Sequence, residues 1–296
     1  MTSSKPYSVT EIDRQTSPIV LASPHSGNCY NEDFIAKSRL TLAELRRGED
    51  AFIDDLFEPA KGIGIPLIAA HFPRVFVDAN RSPWELDPDM FVGPLPNFVT
   101  TQSSRITAGL GTVAKFAAGN RQIYRHKLNF SDIQKRIKNT HVPYHEQLKE
   151  LVHKTHRKFQ QCLLIDCHSM PSGAELGNYH DKGLSDFILG DRFGSSCNDH
   201  ITRLVETTLM DLGYSVGRNK PYAGGYTTRH YADINLGVET LQIEINRRLY
   251  MDEQTIERHQ GFHQMQTDLG YLLRVLQNHT NEQTLKKQPT FAKAAE

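Results

Sequence analysis

Three apolar runs in this sequence end in residues that can bind a metal ion or a carboxylate. Ile19–Ser23 leads into Pro24-His25-Ser26-Gly27, Arg74–Val77 into Asp78-Ala79-Asn80-Arg81, and Cys162–Ile165 into Asp166-Cys167-His168-Ser169. Imidazole and carboxylate are common ligands of catalytic zinc, and a guanidinium is the matching fork for a substrate carboxylate. In open α/β sheets ligands sit beyond the carboxyl ends of the strands, so three such ends can converge on one site. A fourth segment, Thr240–Asn246, alternates. Leu241, Ile243 and Ile245 share one face, and Gln242, Glu244 and Asn246 share the other. A carboxylate in mid-strand is costly to bury unless it is paired or protonated. Glu244 therefore reads either as part of the solvated face of an edge strand or as a general base facing an activated water.

Familiar catalytic signatures are missing. His145-Glu146 is followed by Gln147, Leu148 and Lys149, so there is no H-E-x-x-H, and no G-x-S-x-G, P-loop or complete G-x-G-x-x-G occurs. His141 and His145 are spaced i, i+4, and His153 and His156 i, i+3. Pro143 interrupts the first pair and the second lies in the basic stretch HKTHRK, so both read as solvated helix faces. Cys29, Cys162, Cys167 and Cys197 form no C-x-x-C and read as reduced thiols.

The elements that must position these residues alternate along the chain. Strands are predicted at Ile19–Ala22, Pro66–Ala70, Arg74–Val77, Cys162–Ile165, Tyr214–Val216 and Thr240–Ile245. Helices are predicted at Leu42–Ala60, Ser131–Phe159 (bent or divided by Pro143), Ser195–Leu212 and Asp252–Gln277. This alternation predicts a single α/β domain over residues 1–280, with a mainly parallel mixed sheet covered by helices on both faces. Residues 281–296 read as a polar, flexible tail, and the Pro- and Gly-rich stretch 82–119 as a long ordered excursion of functional kind. Among the 296 residues, 34 Lys+Arg balance 34 Asp+Glu, so neither nucleic acid nor an anionic membrane is an expected partner. The first ten residues lack an apolar signal core, and no run approaches the ~20 apolar residues of a membrane span. A cytoplasmic enzyme acting on a small molecule is expected.

Taken in order, the segments PHSG, EDAFIDDLF, DANRSPWELDPDMF, DCHSMPSG, GGYTTRHYA and QIE resemble the N-formylglutamate amidohydrolase family, over residues 18–275. The resemblance implies a phosphorylase/hydrolase-like α/β fold, related to zinc carboxypeptidases and aspartoacylase-like deacylases. The SPWELDPDMF continuation resembles a branch near the deformylases of histidine degradation. Residue by residue, the resemblance implies His25 and His168 as metal ligands, Asn80 and Arg81 as a substrate clamp, and Glu244 as the catalytic carboxylate. The related deacylases carry a metal-binding Glu three residues after the first histidine, where this chain has Asn28. The resemblance points instead to Asp50. The helical wheel places Glu49 on the face of Leu42, Leu45, Ile53 and Leu56, and Asp54 is a further alternative.

What the resemblance implies is an amidohydrolase converting N-formyl-L-glutamate to formate and L-glutamate. His25, Asp50 and His168 would hold Zn2+, or another divalent transition metal, with a fourth position for water. Glu244 would take the water proton and return it to the leaving amine. Arg81 is the first candidate for a substrate carboxylate, with Arg125 and Arg229 after it, and Asp78 and Asp166 would orient the ligands. Two other readings stand beside this one. A hydrolase of a different N-acyl amino acid or peptide terminus would share the metal core, whereas a non-enzymatic small-molecule binding protein would need neither metal nor Glu244.

Overall fold

Ile19–Ser23 (β2) is buried along its whole length, and its side chains divide between two cores. Ile19 and Leu21 pack on one side with Leu163, Ile165, Leu241 and Ile243. Val20 and Ala22 pack on the other with Ile68, Ala70 and Leu164. A strand with two apolar faces requires cover on both. In the computed structural model, which describes residues 5–173 and 185–287, that cover is helical. Ile53–Leu56 (α3), Asp199–Asp211 (α7) and Gly261–Lys287 (α9) serve the first side, and His141–Phe159 (α6) the second.

The central sheet has seven strands. Tyr7–Val9 is β1, Leu67–Ala70 β3, Cys162–Met170 β4, Phe187–Gly190 β5, Val216–Arg218 β6 and Val238–Asn246 β7. Their order across the sheet is β1-β3-β2-β4-β7-β5-β6. The middle strands β3, β2, β4 and β7 are parallel, whereas β1 is antiparallel to β3 and β5 antiparallel to β7. The expected mainly parallel mixed sheet is present, and β4 and β7 at its centre place His168 directly beside Glu244.

Several elements differ from expectation, beginning with a short helix at Glu32–Lys37 (α1) that the periodicity does not mark. Arg74–Val77 is a turn, not a strand, so Asp78, Asn80 and Arg81 reach the site on a loop. Tyr7–Val9 and Phe187–Gly190 are strands that the periodicity does not mark, and the segment expected at Tyr214–Val216 forms its strand at Val216–Arg218. The strand expected at Cys162–Ile165 continues to Met170, which puts His168 inside it. Leu42–Ala60 is broken into Leu42–Arg46 (α2), α3 and a 3-10 turn at Glu58–Ile63. The long second helix divides at Thr140, between Phe130–Asn139 (α5) and α6. Pro143 falls in the first turn of α6, where its missing N–H is harmless. Finally, α9 runs through residues 281–287 of the expected tail, and residues 288–296 lie outside the described residues.

Candidate metal and catalytic centre

His25 follows β2, His168 lies in β4, and Asp50 sits in the break between α2 and α3. The break has visible causes. Gly48 interrupts the helical run, Asp50 N donates to His25 O at 3.1 Å, and Phe52 adopts a left-handed backbone with φ of 65°. For a bulky L-residue that conformation costs on the order of 1 kcal/mol or more, and it redirects the chain so that Asp50 points inward. Asp50 Oδ2 lies 3.0 Å from His168 Nδ1 and 3.4 Å from His25 Nδ1. All three residues are buried, and among the described residues they form a group able to hold a metal ion. Glu49 turns elsewhere, to Arg46 Nε at 3.2 Å, and Asp54 lies outside the group.

The residues fit a metal. Tetrahedral zinc with bonds of about 2.0–2.1 Å has ligand–ligand edges of about 3.3 Å, and the two measured separations bracket that length. His25 Nδ1 is buried without a hydrogen-bond partner, an orphaned atom that an ion would satisfy. Each histidine also shows its other nitrogen to a carboxylate. His25 Nε2 is 2.7 Å from Asp78 Oδ1 and His168 Nε2 is 3.0 Å from Asp166 Oδ2. Such carboxylates hold the Nε2–H tautomer and leave Nδ1 for the metal. The site calls for positive charge. Burial lowers His168, yet Asp166 and Asp50 outweigh it and hold the imidazole well above its ordinary value. Burial raises Asp50, yet its close contacts with His168 and His25 and the charge of Arg74 hold it well below.

Glu244 faces the same cavity of ≈ 410 Å³ as His25 and His168. Its strand is central, between β4 and β5, so the edge-strand reading is excluded. Gln242 Nε2 donates to Glu244 Oε1 at 2.8 Å, and Gln242 Oε1 accepts from Gly225 N at 2.9 Å, so the carboxyl is oriented from its own strand face. Burial pushes Glu244 up to about 8, against the charge of His168. A cation added beside it acts the other way and favours the carboxylate.

The arginines and Asn80 depart most from expectation. Asn80 Nδ2 donates to Asp166 Oδ2 at 3.0 Å and its Oδ1 accepts from Thr227 N at 2.8 Å, so its amide fixes the His168 partner and the 225–227 loop rather than standing free for substrate. Gly225 packs so close to Asn80 that any Cβ would overlap the amide. Arg81 does line the cavity. Arg125 does not. It is exposed, with Nε on Ser38 O at 2.7 Å. Arg229 is exposed on Tyr226–Tyr231 (α8) and is also absent from the cavity wall.

Arginines not anticipated take the inner positions. Arg247 Nη2 donates to Asp50 Oδ1 at 3.1 Å and its Nε to Ser169 Oγ at 3.1 Å. Arg74 Nη2 donates to Asp78 Oδ2 at 3.1 Å, and its Nη1 lies 3.6 Å from Asp50 Oδ1. Arg247 directly follows β7, so its position at a strand end is a signal the sequence carries. Arg74 has no such signal, because it reads as the start of a strand. His141 and His145 are not solvated either. Their Nε2–H groups donate to Arg81 O at 2.9 Å and Ala79 O at 2.8 Å, bracing the loop that carries Asp78 and Asn80. Burial holds His141 down at about 4 and His145 well below its ordinary value, so both act as neutral donors.

The chain also matches known proteins over most of its length. A family model described as N-formylglutamate amidohydrolase matches residues 17–251. An N-formylglutamate deformylase of Pseudomonas aeruginosa is 28% identical over 249 residues, 83% of this chain and 86% of that protein. One from Pseudomonas putida is 26% identical over 239 residues, covering 80% and 82%. The crystal structure of an N-formylglutamate amidohydrolase from Ralstonia eutropha JMP134 is 35% identical, with a TM-score of 0.88 over 94% of this chain and 99% of that one.

Proposed function

This chain belongs to the N-formylglutamate amidohydrolase family, and from that premise we propose that it hydrolyses N-formyl-L-glutamate to formate and L-glutamate, using zinc or a similar divalent ion held by His25, Asp50 and His168. The observation that carries the reading is the meeting of the two histidines of this group with a buried, oriented Glu244 on the wall of one cavity. When bound, the ion supplies Lewis-acid polarisation of the formyl carbonyl and acidifies water. Glu244 accepts a proton from the attacking water, and the same carboxyl returns it to the amide nitrogen as the C–N bond breaks. One water is consumed, and its oxygen ends in formate. Asp78 and Asp166 keep the Nε2 protons of the two histidines, while Arg247 and Arg74 hold the outer oxygen of Asp50. A cytoplasmic location is part of this proposal, and no helix among the described residues is long and apolar enough to cross a membrane.

The test uses protein purified without added metal. Elemental analysis is expected to find about one divalent transition ion per chain, as a single three-residue site requires. Across a panel of N-formyl, N-acetyl and N-succinyl amino acids, kcat/KM is expected to be highest for N-formylglutamate. If the metal-loaded protein releases no formate from any N-formyl amino acid, or prefers another acyl group, the reading fails.

A further inference from the structure

Arg81 and Arg105 are tied together by one residue. Leu110 N donates to Arg105 O at 2.8 Å, and Leu110 O accepts from Arg81 Nε at 2.9 Å. Arg81 is held further by Nη1 on Asn80 O at 2.8 Å, while its Nη2 stands 3.9 Å from Asp78 Oδ2 and is only loosely engaged. Arg105 lies in the short helix Ser104–Thr107 (α4), capped by Ser103 Oγ accepting from Ile106 N at 3.1 Å. Both arginines line the catalytic cavity. Among the described residues the Arg105 guanidinium has no hydrogen-bond or ion-pair partner, and Glu85, whose charge reaches Arg81, accepts from the Ser103 hydroxyl.

Two guanidiniums held at one cavity edge repel each other, and an anion between them relieves that repulsion. Burial lowers Arg81, and the positive charges of Arg74 and Arg105 act in the same direction against Asp78. The chain of neighbours runs from His25 to Asp78 to Arg81 and then to Arg105. Arg105 is therefore one step further from the candidate metal ligands than Arg81. An α-carboxylate adjoins the scissile amide, whereas a side-chain carboxylate extends beyond it.

We propose that Arg105, with the loosely engaged Nη2 of Arg81, holds the side-chain carboxylate of the substrate and determines specificity for acidic N-acyl amino acids. The proposal rests on the hydrolytic reading above and adds a residue of the 82–119 excursion to it. The two backbone groups of Leu110, bonded to Arg105 O and Arg81 Nε, set the spacing of the pair.

The experiment compares Arg105→Gln with wild type on N-formylglutamate and its neutral isostere N-formylglutamine. A site built to bond a carboxylate rejects the analogue lacking it. The ratio of the two kcat/KM values is expected to fall about tenfold or more in Arg105→Gln. A wild-type ratio in Arg105→Gln overturns the proposal, as does a collapse found only in Arg47→Gln, which alters another arginine of the cavity wall. A second arm is independent of turnover and uses calorimetric binding of glutarate to the metal-free protein. Wild type is expected to bind it and Arg105→Gln to bind about tenfold or more weakly. If neither substrate is turned over, the hydrolytic reading fails by itself and glutarate decides the present one. Equal glutarate binding by both proteins overturns it.

Discussion

Glu244→Gln removes one proton acceptor and almost no volume, and its consequence for stability follows from the fold. In the metal-free protein burial raises the Glu244 carboxyl from its ordinary 4.5 to about 8. A folded-state value above the unfolded one means that the associated stability is fully present below about pH 4.5 and is lost as pH rises through about 8. Integrating proton binding across that window gives a loss on the order of 3 kcal/mol between about pH 5 and about pH 8. Glutamine has no such proton to lose. Urea unfolding of metal-stripped wild type and Glu244→Gln across that range is therefore expected to give diverging profiles, with wild type falling more steeply. Reloading with zinc is expected to close most of the gap, because a nearby cation favours the carboxylate. Catalysis supplies the second readout. The metal-loaded variant should keep its ion while kcat falls about 10²–10⁴-fold, the range for a positioned acid–base group. Parallel stability profiles would refute the account of a buried, protonated carboxyl. Full activity would remove Glu244 from the mechanism, and loss of the ion would make it a ligand instead.

Asp50→Asn is expected to lower zinc affinity by about tenfold or more, because a neutral amide is a poor ligand, while Glu49→Gln binds as wild type. Metal titration showing the reverse order would transfer the ligand role to Glu49. Arg247→Met leaves the buried Asp50 with Arg74 as its remaining arginine, so metal affinity should fall about 10–100-fold and unfolding stability by about 3 kcal/mol. An unaltered metal titration in that variant would show that Arg247 does not orient the ligand. His145→Phe keeps the ring and leaves Ala79 O unpaired, at a cost of about 1–3 kcal/mol in thermal or urea unfolding. Because burial holds folded-state His145 well below its ordinary value, only the unfolded wild-type chain takes up this proton as pH falls through about 6.5, so the loss should be constant above about pH 7.5 and shrink by about 1 kcal/mol by about pH 6. A loss that stayed constant across this window would mean His145 titrates normally in the fold.

Much of the site is local in origin and so is legible in the sequence. A strand buried on both faces is a continuous apolar run, and His25 stands where one such run stops, at the end of the sheet where α/β proteins bind ligands. The period of two along Thr240–Ile245 places Glu244 opposite the leucine and isoleucine face. Its central place in the sheet needs the strand order, which local pattern does not carry. Asp50 was out of reach of a helical wheel, because the wheel assumes one unbroken helix. The break at Gly48 and the left-handed Phe52 turn Asp50 toward His25 and His168, two histidines that lie far from it in sequence. The arginines show the same limit. A guanidinium reads identically on a surface and in a cavity, and burial alone separates Arg247 and Arg74 from Arg125 and Arg229. His141 and His145 show the same limit. Their spacing is that of a solvated helix face, and their role as donors to the 79–81 carbonyls depends on a loop some 60 residues away in sequence being folded over them. Periodicity reports which face of an element is apolar. Which polar group meets which depends on long-range packing, and that is decided only when the chain closes on itself.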